Sequence, residues 1–561
     1  MHERLLGTIA ASCLLLAAPA HPQLKSGPQV VTFLSAIDDS DQPYGLYLPK
    51  TYTAAKKWPL VISLHGAGSN HRLNLRRVFG QGNRLGETDA EATRYFPQLK
   101  EVEFIVASPL ARGTMGYQGI AEKDVYDVLA DVKSRFAIDE ERIYLTGLSM
   151  GGGGALWLGL TRPDIWAAVA AVCPAPPAGL EPLAGNALNI PVRLFQGALD
   201  PVVPVQSVRL WSKRLQDAGV RTEYTEYSAV RHNAWDPAYR NAAIFDWFAQ
   251  HRRSSWPQVV QFTARDYEHR SAYWVRFDQL TPGTPAGFKG RVEAGNRVEI
   301  TTNELGGFSL LLRGHPSVSP TQPLTVVVDG TTLKTKVQDV ISFSRVAKGW
   351  ALRKAAPPAG SKGPGMEGPI SAAIGTRHLY VYGSQSAGEE EVRARREKAT
   401  LAAEWSTPRL PLLLTFGVLA DADVTAAERK SANLVLFGTK ETNTVLAELA
   451  ARLPLALNPG AADYGLLYVY PVDGRYVVIN SGLPWWTRLD AANRPGLPFL
   501  SAPYRALMSF GDYILFRGGL DNVVVEGRFD TRWKLPAEAA QKMLSTGAVE
   551  VRKDSVAEVR P

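Results

Sequence analysis

Three side chains suited to nucleophilic chemistry stand far apart in this chain. They are Ser149 in Gly147-Leu-Ser-Met-Gly151, Asp200 in Gly197-Ala-Leu-Asp-Pro201, and His232 in Arg231-His-Asn-Ala-Trp-Asp236. A serine hydroxyl attacks carbonyl carbon poorly at neutral pH unless a histidine takes its proton. That histidine needs a carboxylate on its other ring nitrogen, which fixes the tautomer and stabilises the imidazolium. Asp200 is assigned this role. Asp236 is a rival acid, but so near His232 in sequence it reads as a helix cap.

The elements around these residues matter more than the patterns themselves. With 49 glycines in the chain, a bare G-x-S-x-G arises easily by chance. Here, however, it sits where an apolar run, Arg142-Ile-Tyr-Leu-Thr146, gives way to a glycine-rich helix start. Such a strand-to-helix turn forces the serine into a strained backbone and exposes its hydroxyl. The stretch from Leu60 to Gln250 alternates short apolar runs with amphipathic segments, the pattern of a parallel sheet covered by helices. Strands are predicted at 59–64, 103–108, 142–146, 167–173, 192–195 and 222–227, with helices over 122–136 and 238–252. Asp200 then follows the fifth strand and His232 the edge strand.

Downstream the period changes to two. Short alternating strands over 273–277, 291–294, 297–300 and 324–328, with hairpin signals at Ala294-Gly-Asn and Asp329-Gly330, predict an all-β, sandwich-like module over 256–350. A proline- and glycine-rich run makes 351–368 a linker. Residues 369–561 return to mixed α/β patterning, with a charged helix over 389–405 and strands over 410–416, 433–437, 465–470 and 476–480. The fold class expected is therefore α/β, with a catalytic region over 21–255 followed by two further modules.

Composition sets the bounds. Apolar residues make up 45% and charged residues 21% of the chain, as in folded globular proteins. The net charge of +8 is spread among acids, so no segment reads as a nucleic-acid stripe. At the N-terminus, Arg4, the apolar run Leu5–Ala18 and the small residues Ala18-Pro19-Ala20 predict a signal peptide over 1–20 and an exported, periplasmic or extracellular protein. Cys13 lacks the preceding leucine of a lipid-attachment site. Cys173 is then the single remaining cysteine, which rules out an intramolecular disulfide. No later run is long and apolar enough to span a bilayer, and a soluble mature protein is expected.

His65-Gly-Ala-Gly68, Gly147-Leu-Ser-Met-Gly-Gly152, Asp200 with its following prolines, and His232-Asn-Ala-Trp-Asp-Pro-Ala-Tyr239 together resemble exported bacterial esterases and predicted peptidases of the α/β-hydrolase fold. That group joins feruloyl and acetyl xylan esterases to the catalytic region of prolyl oligopeptidases. The resemblance covers about 30–250. It implies the chain order Ser, Asp, His for the triad and an oxyanion hole built from the Ala67 and Met150 N–H groups. His65, Gly68 and Trp235 are placed beside the substrate, with His65 bracing its loop and a plain core role equally open for Trp235. Arg231 departs from the glycine that most members carry there, a change at the pocket rim.

Both esters and peptides pass through the same acyl-enzyme, so the triad alone does not choose between them. The short stretch before the first core strand leaves no room for a gating β-propeller, and no acidic pair suits a peptide amino terminus. Ester cleavage is the favoured reading. The alternatives are a prolyl-oligopeptidase-type peptidase, or an inactive hydrolase that binds envelope or polysaccharide. The substrate expected is an ester, including one linked to polysaccharide.

No cofactor is expected, since H-E-x-x-H and C-x-x-C are absent. His269, His315 and His378 are isolated and read as structural. Thr439-Lys440 opens a helix without a full phosphate-loop pattern, and Ser384-Gln-Ser386-Ala-Gly388 reads as loop. Trp485 and Trp486 suit either sugar stacking or burial.

Overall fold

The computed structural model describes residues 24–353, 357–385, 387–492, 494 and 500–558. The signal-peptide reading of 1–20, Cys13, residues 354–356 of the linker-like run, and Ser386 lie outside the described residues.

The N-terminal half is built on an eight-stranded sheet. Its strands are β1 (Gly27–Leu34), β2 (Asp41–Leu48), β3 (Trp58–Leu64), β4 (Ile105–Pro109), β5 (Ile138–Leu148), β6 (Ala168–Val172), β7 (Val192–Gly197) and β8 (Thr222–Tyr227). Their spatial order is β1-β2-β4-β3-β5-β6-β7-β8. β2 runs antiparallel to β1 and β4, whereas the pairs from β4 through β8 are parallel. Strands β3 and β6 are buried on both faces, which explains why they read as unbroken apolar runs.

The sheet separates two layers of packing. On one side, Ile62, Leu64, Leu145 and Leu194 meet the helices Ile120–Arg135 and Met150–Thr161. The second of these helices is apolar almost all round and almost wholly buried, as expected of a helix enclosed by its neighbours. On the other side, Val61, Val106, Tyr144 and Val172 pack with Phe79, Phe245 and Phe248.

The helix predicted over 238–252 is broken. Its residues form a short turn Trp235–Ala238, a 3-10 turn Arg240–Ala242 and a helix Ala243–Phe248. Asn241 and Ala242 both have left-handed backbones. This kink lets buried Tyr239 reach Thr146 (2.7 Å) while Phe245 and Phe248 still lie against the sheet.

The middle of the chain forms two five-stranded sheets around a core of its own, with Trp274, Phe277, Phe288, Phe308 and Trp350 at its centre. Asp329 and Gly330, both left-handed, close a two-residue hairpin between Val328 and Thr331, the turn that the dipeptide favours. The C-terminal half carries a seven-stranded mixed sheet. Its strands Val418–Ala420, His378–Tyr382, Asn433–Phe437 and Arg475–Gly482 are parallel, and Tyr464–Val472, Tyr513–Arg517 and Val523–Gly527 continue it antiparallel. Residues 410–416, expected as a strand, are loop after an isolated bridge of Leu410 with Thr407, and Leu413 and Thr415 fasten that loop to the N-terminal half. One apolar cluster runs without interruption from the eight-stranded sheet into this C-terminal sheet.

The run 351–368 connects these bodies without being a free tether over its described part. Lys362 is buried beside Asp512. Glu367 accepts from the Tyr267 and Glu268 amides, and the Glu367 and Gly368 amides donate to the Tyr476 hydroxyl. Trp485 is fully buried on Phe437, its indole N–H donating to the Pro503 carbonyl. Among the described residues, no helix is long and apolar enough to cross a membrane.

Candidate active site

Ser149 lies at the turn between β5 and the helix Met150–Thr161, with φ 55° and ψ −117°. An L-residue held there carries on the order of 1–3 kcal/mol of strain, which the packing on either side maintains. The Ser149 amide donates to the Val172 carbonyl at 2.8 Å, tying the turn to β6. The glycines around it are required by close approach. A Cβ on Gly147 would lie 2.1 Å from the Gly151 carbonyl oxygen, and one on Gly151 would lie 2.3 Å from that of Leu64.

Asp200 and His232 leave the C-terminal ends of the adjacent strands β7 and β8. Their loops touch at Gly197, where a Cβ would fall 2.0 Å from the Arg231 carbonyl. Arg231 itself points its exposed side chain outward. His232 Nδ1 lies 2.8 Å from Asp200 Oδ2, and its Nε2 lies 3.0 Å from Ser149 Oγ. The Asp200 side chain is fully buried while His232 keeps about a fifth of its surface exposed (22%). That combination screens the carboxylate from water yet leaves the imidazole reachable by a substrate.

The carboxylate is saturated with donors. Asp200 Oδ1 accepts from the Val202 and Val203 amides at 2.8 and 2.9 Å, and Oδ2 also accepts from Gln196 Nε2 at 3.2 Å. Gln196 belongs to no motif of the sequence. Its position four residues before the acid, at the end of a buried strand, is the available signal. Asp236 pairs with Asn233 in the first turn of the following short helix, and Ala234 occupies the cap position expected of it.

The loop His65–Gly68 lies over Ser149, since a Cβ on Gly66 would sit 3.4 Å from that of Ser149. His65 is fully buried, and its two ring nitrogens each face a carbonyl at 2.8 Å, of Gly66 and Leu110. Burial holds its pKa below the ordinary histidine value. It therefore braces the loop and offers no surface to a substrate. The Gly68 amide donates to Thr114 Oγ1 at 2.7 Å. Among the described residues no acceptor engages the neighbouring Ala67 amide. Met150 opens its helix, where backbone N–H groups have no intrahelical acceptor and the helix dipole is positive.

Trp235 stands edge-on to His232 (centroids 5.4 Å apart) and under the Arg77 guanidinium. Cys173, buried just after β6, has its sulfur within 4.8 Å of ligating atoms of Asp200 and His232. Both ring nitrogens of His232 already face Asp200 and Ser149, so the three do not make a metal cage. Burial raises the Cys173 thiol pKa far above its usual range, leaving it uncharged.

His269, expected to be isolated, is instead a buried bridge. It joins Glu122 at 2.8 Å and Asp266 at 3.0 Å, linking the eight-stranded sheet's helix layer to the β module. His378 packs between Trp405 and Phe416.

Residues 35–294 match the family model described as "Putative esterase". Among solved structures, the chain is similar to a thermostable esterase (26% identity, 40% of this chain and 63% of that one, TM-score 0.33). It is also similar to a CE1 ferulic acid esterase from Anaeromyces mucronatus (18%, 40% and 90%, TM-score 0.29) and to Pyrococcus horikoshii acylaminoacyl peptidase (14%, 41% and 43%, TM-score 0.31). The match thus spans less than two thirds of the length of the thermostable esterase and of the peptidase. The family match takes in Ser149, Asp200 and His232 and all of the eight-stranded sheet but β1, and the order and pairing of that sheet are those of an α/β-hydrolase fold.

Proposed function

We propose that this chain is an exported serine hydrolase that cleaves carboxylic esters through an acyl-enzyme. The observation that carries the reading is His232 spanning Ser149 and Asp200 at hydrogen-bonding distance on both sides. In this scheme His232 Nε2 takes the Ser149 hydroxyl proton as Oγ attacks the ester carbonyl, and Asp200 stabilises the imidazolium that results. The oxyanion is received by the Ala67 and Met150 amides. His232 returns the proton to the leaving alcohol, and a water activated by the same imidazole then releases the acid.

Gly68, its amide already committed to Thr114, shapes the loop, and Trp235 forms one wall beside the imidazole. The family match favours an ester over a peptide. Export rests on the apolar N-terminal segment, and a polysaccharide-linked ester is the substrate class proposed for an enzyme outside the cytoplasm.

The test compares purified protein on aryl esters, feruloylated sugars and proline-containing peptides, together with labelling by a fluorophosphonate. Ester turnover with labelling lost in Ser149→Ala is the expected result. Absence of labelling in the unaltered protein would support the inactive, binding-protein alternative, and turnover of peptides alone would make it a peptidase.

A further inference from the structure

The segment Pro411–Thr415, which belongs to the C-terminal half, is fastened to the loop Leu110–Gly119 of the N-terminal half. The Leu413 amide donates to the Arg112 carbonyl at 3.1 Å. The Leu413 carbonyl accepts from Arg112 Nη1 at 3.2 Å and Gln42 Nε2 at 3.1 Å, and the Thr415 amide donates to Asp38 at 3.2 Å. Arg112 is fully buried and also meets Asp38 at 2.8 Å and Asp124 at 2.7 Å. Ala111 and Arg112 both hold left-handed backbones without being glycine, so surrounding contacts must sustain this conformation.

The opposite face of the same loop holds the residues over the nucleophile. The Leu110 carbonyl meets His65 Nε2, Thr114 Oγ1 accepts from the Gly68 amide, and the Tyr117 hydroxyl donates to the His65 carbonyl at 3.0 Å. The Tyr117 ring also lies against Gly154 of the nucleophile's helix, where a Cβ would come within 2.5 Å of it. One loop thus has the C-terminal half on one side and both flanks of Ala67 on the other.

From this we propose that the C-terminal half positions the oxyanion-binding loop, acting through Leu413, Arg112 and Thr114 as positioning residues. It supports transition-state stabilisation and need not touch the substrate. The proposal rests on the serine-hydrolase reading above. A shift of the Ala67 amide by a fraction of an ångström weakens its bond to the developing oxyanion, and misplacement of about 1 Å by a remote change can cost roughly 100-fold in rate.

The experiment uses the full chain, p-nitrophenyl acetate as a small ester substrate, and phenylboronic acid as a tetrahedral adduct former. Leu413→Pro removes the amide donor at a residue that is 44% exposed, and Thr114→Val removes the acceptor of the Gly68 amide. Each is expected to lower kcat roughly 10- to 100-fold with KM nearly unchanged and to weaken phenylboronic acid by a similar factor, while Thr114→Ser restores both. A folded Leu413→Pro protein with unaltered kcat and boronate affinity overturns the proposal. If that variant does not fold, Gln42→Leu replaces it and is judged by the same two outcomes. Asp473→Ala, in an exposed turn of the C-terminal sheet, serves as the unaffected control. An unaltered protein without esterase activity or fluorophosphonate labelling would instead overturn the serine-hydrolase reading, and this proposal with it.

Discussion

Gly147 and Gly151 face one another across the Ser149 turn so closely that a methyl group on the first would penetrate the carbonyl of the second, at 2.1 Å. Backbone atoms of a packed strand and helix cannot move aside as a flexible side chain can. Gly147→Ala is therefore expected to lose roughly 3 kcal/mol or more of stability, the upper range of overpacking. Gly68→Ala is the contrast. Its left-handed φ of 71° has nothing within 4 Å of the added methyl, so about 1–2 kcal/mol of backbone strain is the whole cost. Urea denaturation of both variants checks the difference, and equal losses would contradict the steric explanation.

The two sides of His232 should respond differently to substitution. Ser149→Ala removes the nucleophile and with it all fluorophosphonate labelling. Asp200→Asn preserves the shape but leaves the imidazole without its carboxylate, and a fall of about 10⁴-fold in kcat is expected from this chemistry. Single-turnover kinetics with an aryl ester distinguishes slowed acylation from weakened binding.

Gln196 holds Asp200 Oδ2 at 3.2 Å and the Val203 carbonyl at 2.8 Å. A hydrogen bond to a charged group contributes about 1.5–3 kcal/mol. Gln196→Leu should thus lower kcat roughly tenfold and reduce the melting temperature modestly, because Asp200 keeps three other donors. Unchanged kinetics in the folded variant would show that the two valine amides and His232 hold the acid by themselves.

Stability should depend on pH at the junction of the three bodies. Burial, with Asp266 adding to it, pushes the Glu367 carboxyl up to about 8, despite two amide donors. His269 is raised well above its usual value, because Glu122 and Asp266 outweigh the opposing effect of burial. Both groups hold a proton more tightly folded than unfolded, so their contribution is fully present below the unfolded pKa and is lost as pH rises through the folded one. For Glu367 that window runs from 4.5 to about 8, and for His269 it begins at 6.5. His269→Gln should cost more melting temperature at pH 6 than at pH 9. Thermal melts of both proteins across that range test this, and a penalty that grows with pH has the wrong sign.

Much of the N-terminal half was legible in the sequence because its signals are local. Apolar runs such as Pro59–Leu64 fill a sheet buried on both faces, and the glycines of 147–154 mark a strand and helix in contact. The hairpin of β1 and β2 carries no clear signal in the sequence, because its two eight-residue strands are mixed in polarity and β2 holds Pro43 and Gly45. Residues 410–416 have strand-like composition, yet the backbone groups of Leu413 and the Thr415 amide are taken by Arg112, Gln42 and Asp38 from another part of the chain, and those of Leu410 and Leu412 by Thr407 and Ser406. The kink at Asn241 and Ala242 was likewise hidden, since it is imposed by where Tyr239 and Phe245 must pack.

The sequence by itself determined which side chains could perform acyl transfer and in what order the strands deliver them, because those facts follow from residue type and from periodicity along one segment. Only the tertiary structure decided that Gln196 supports Asp200, that His65 faces inward, that His269 bridges two bodies and that Leu413 reaches the loop that holds His65 and Gly68. Each of these depends on contacts between segments tens to hundreds of residues apart, and no local pattern encodes which buried polar group will satisfy another.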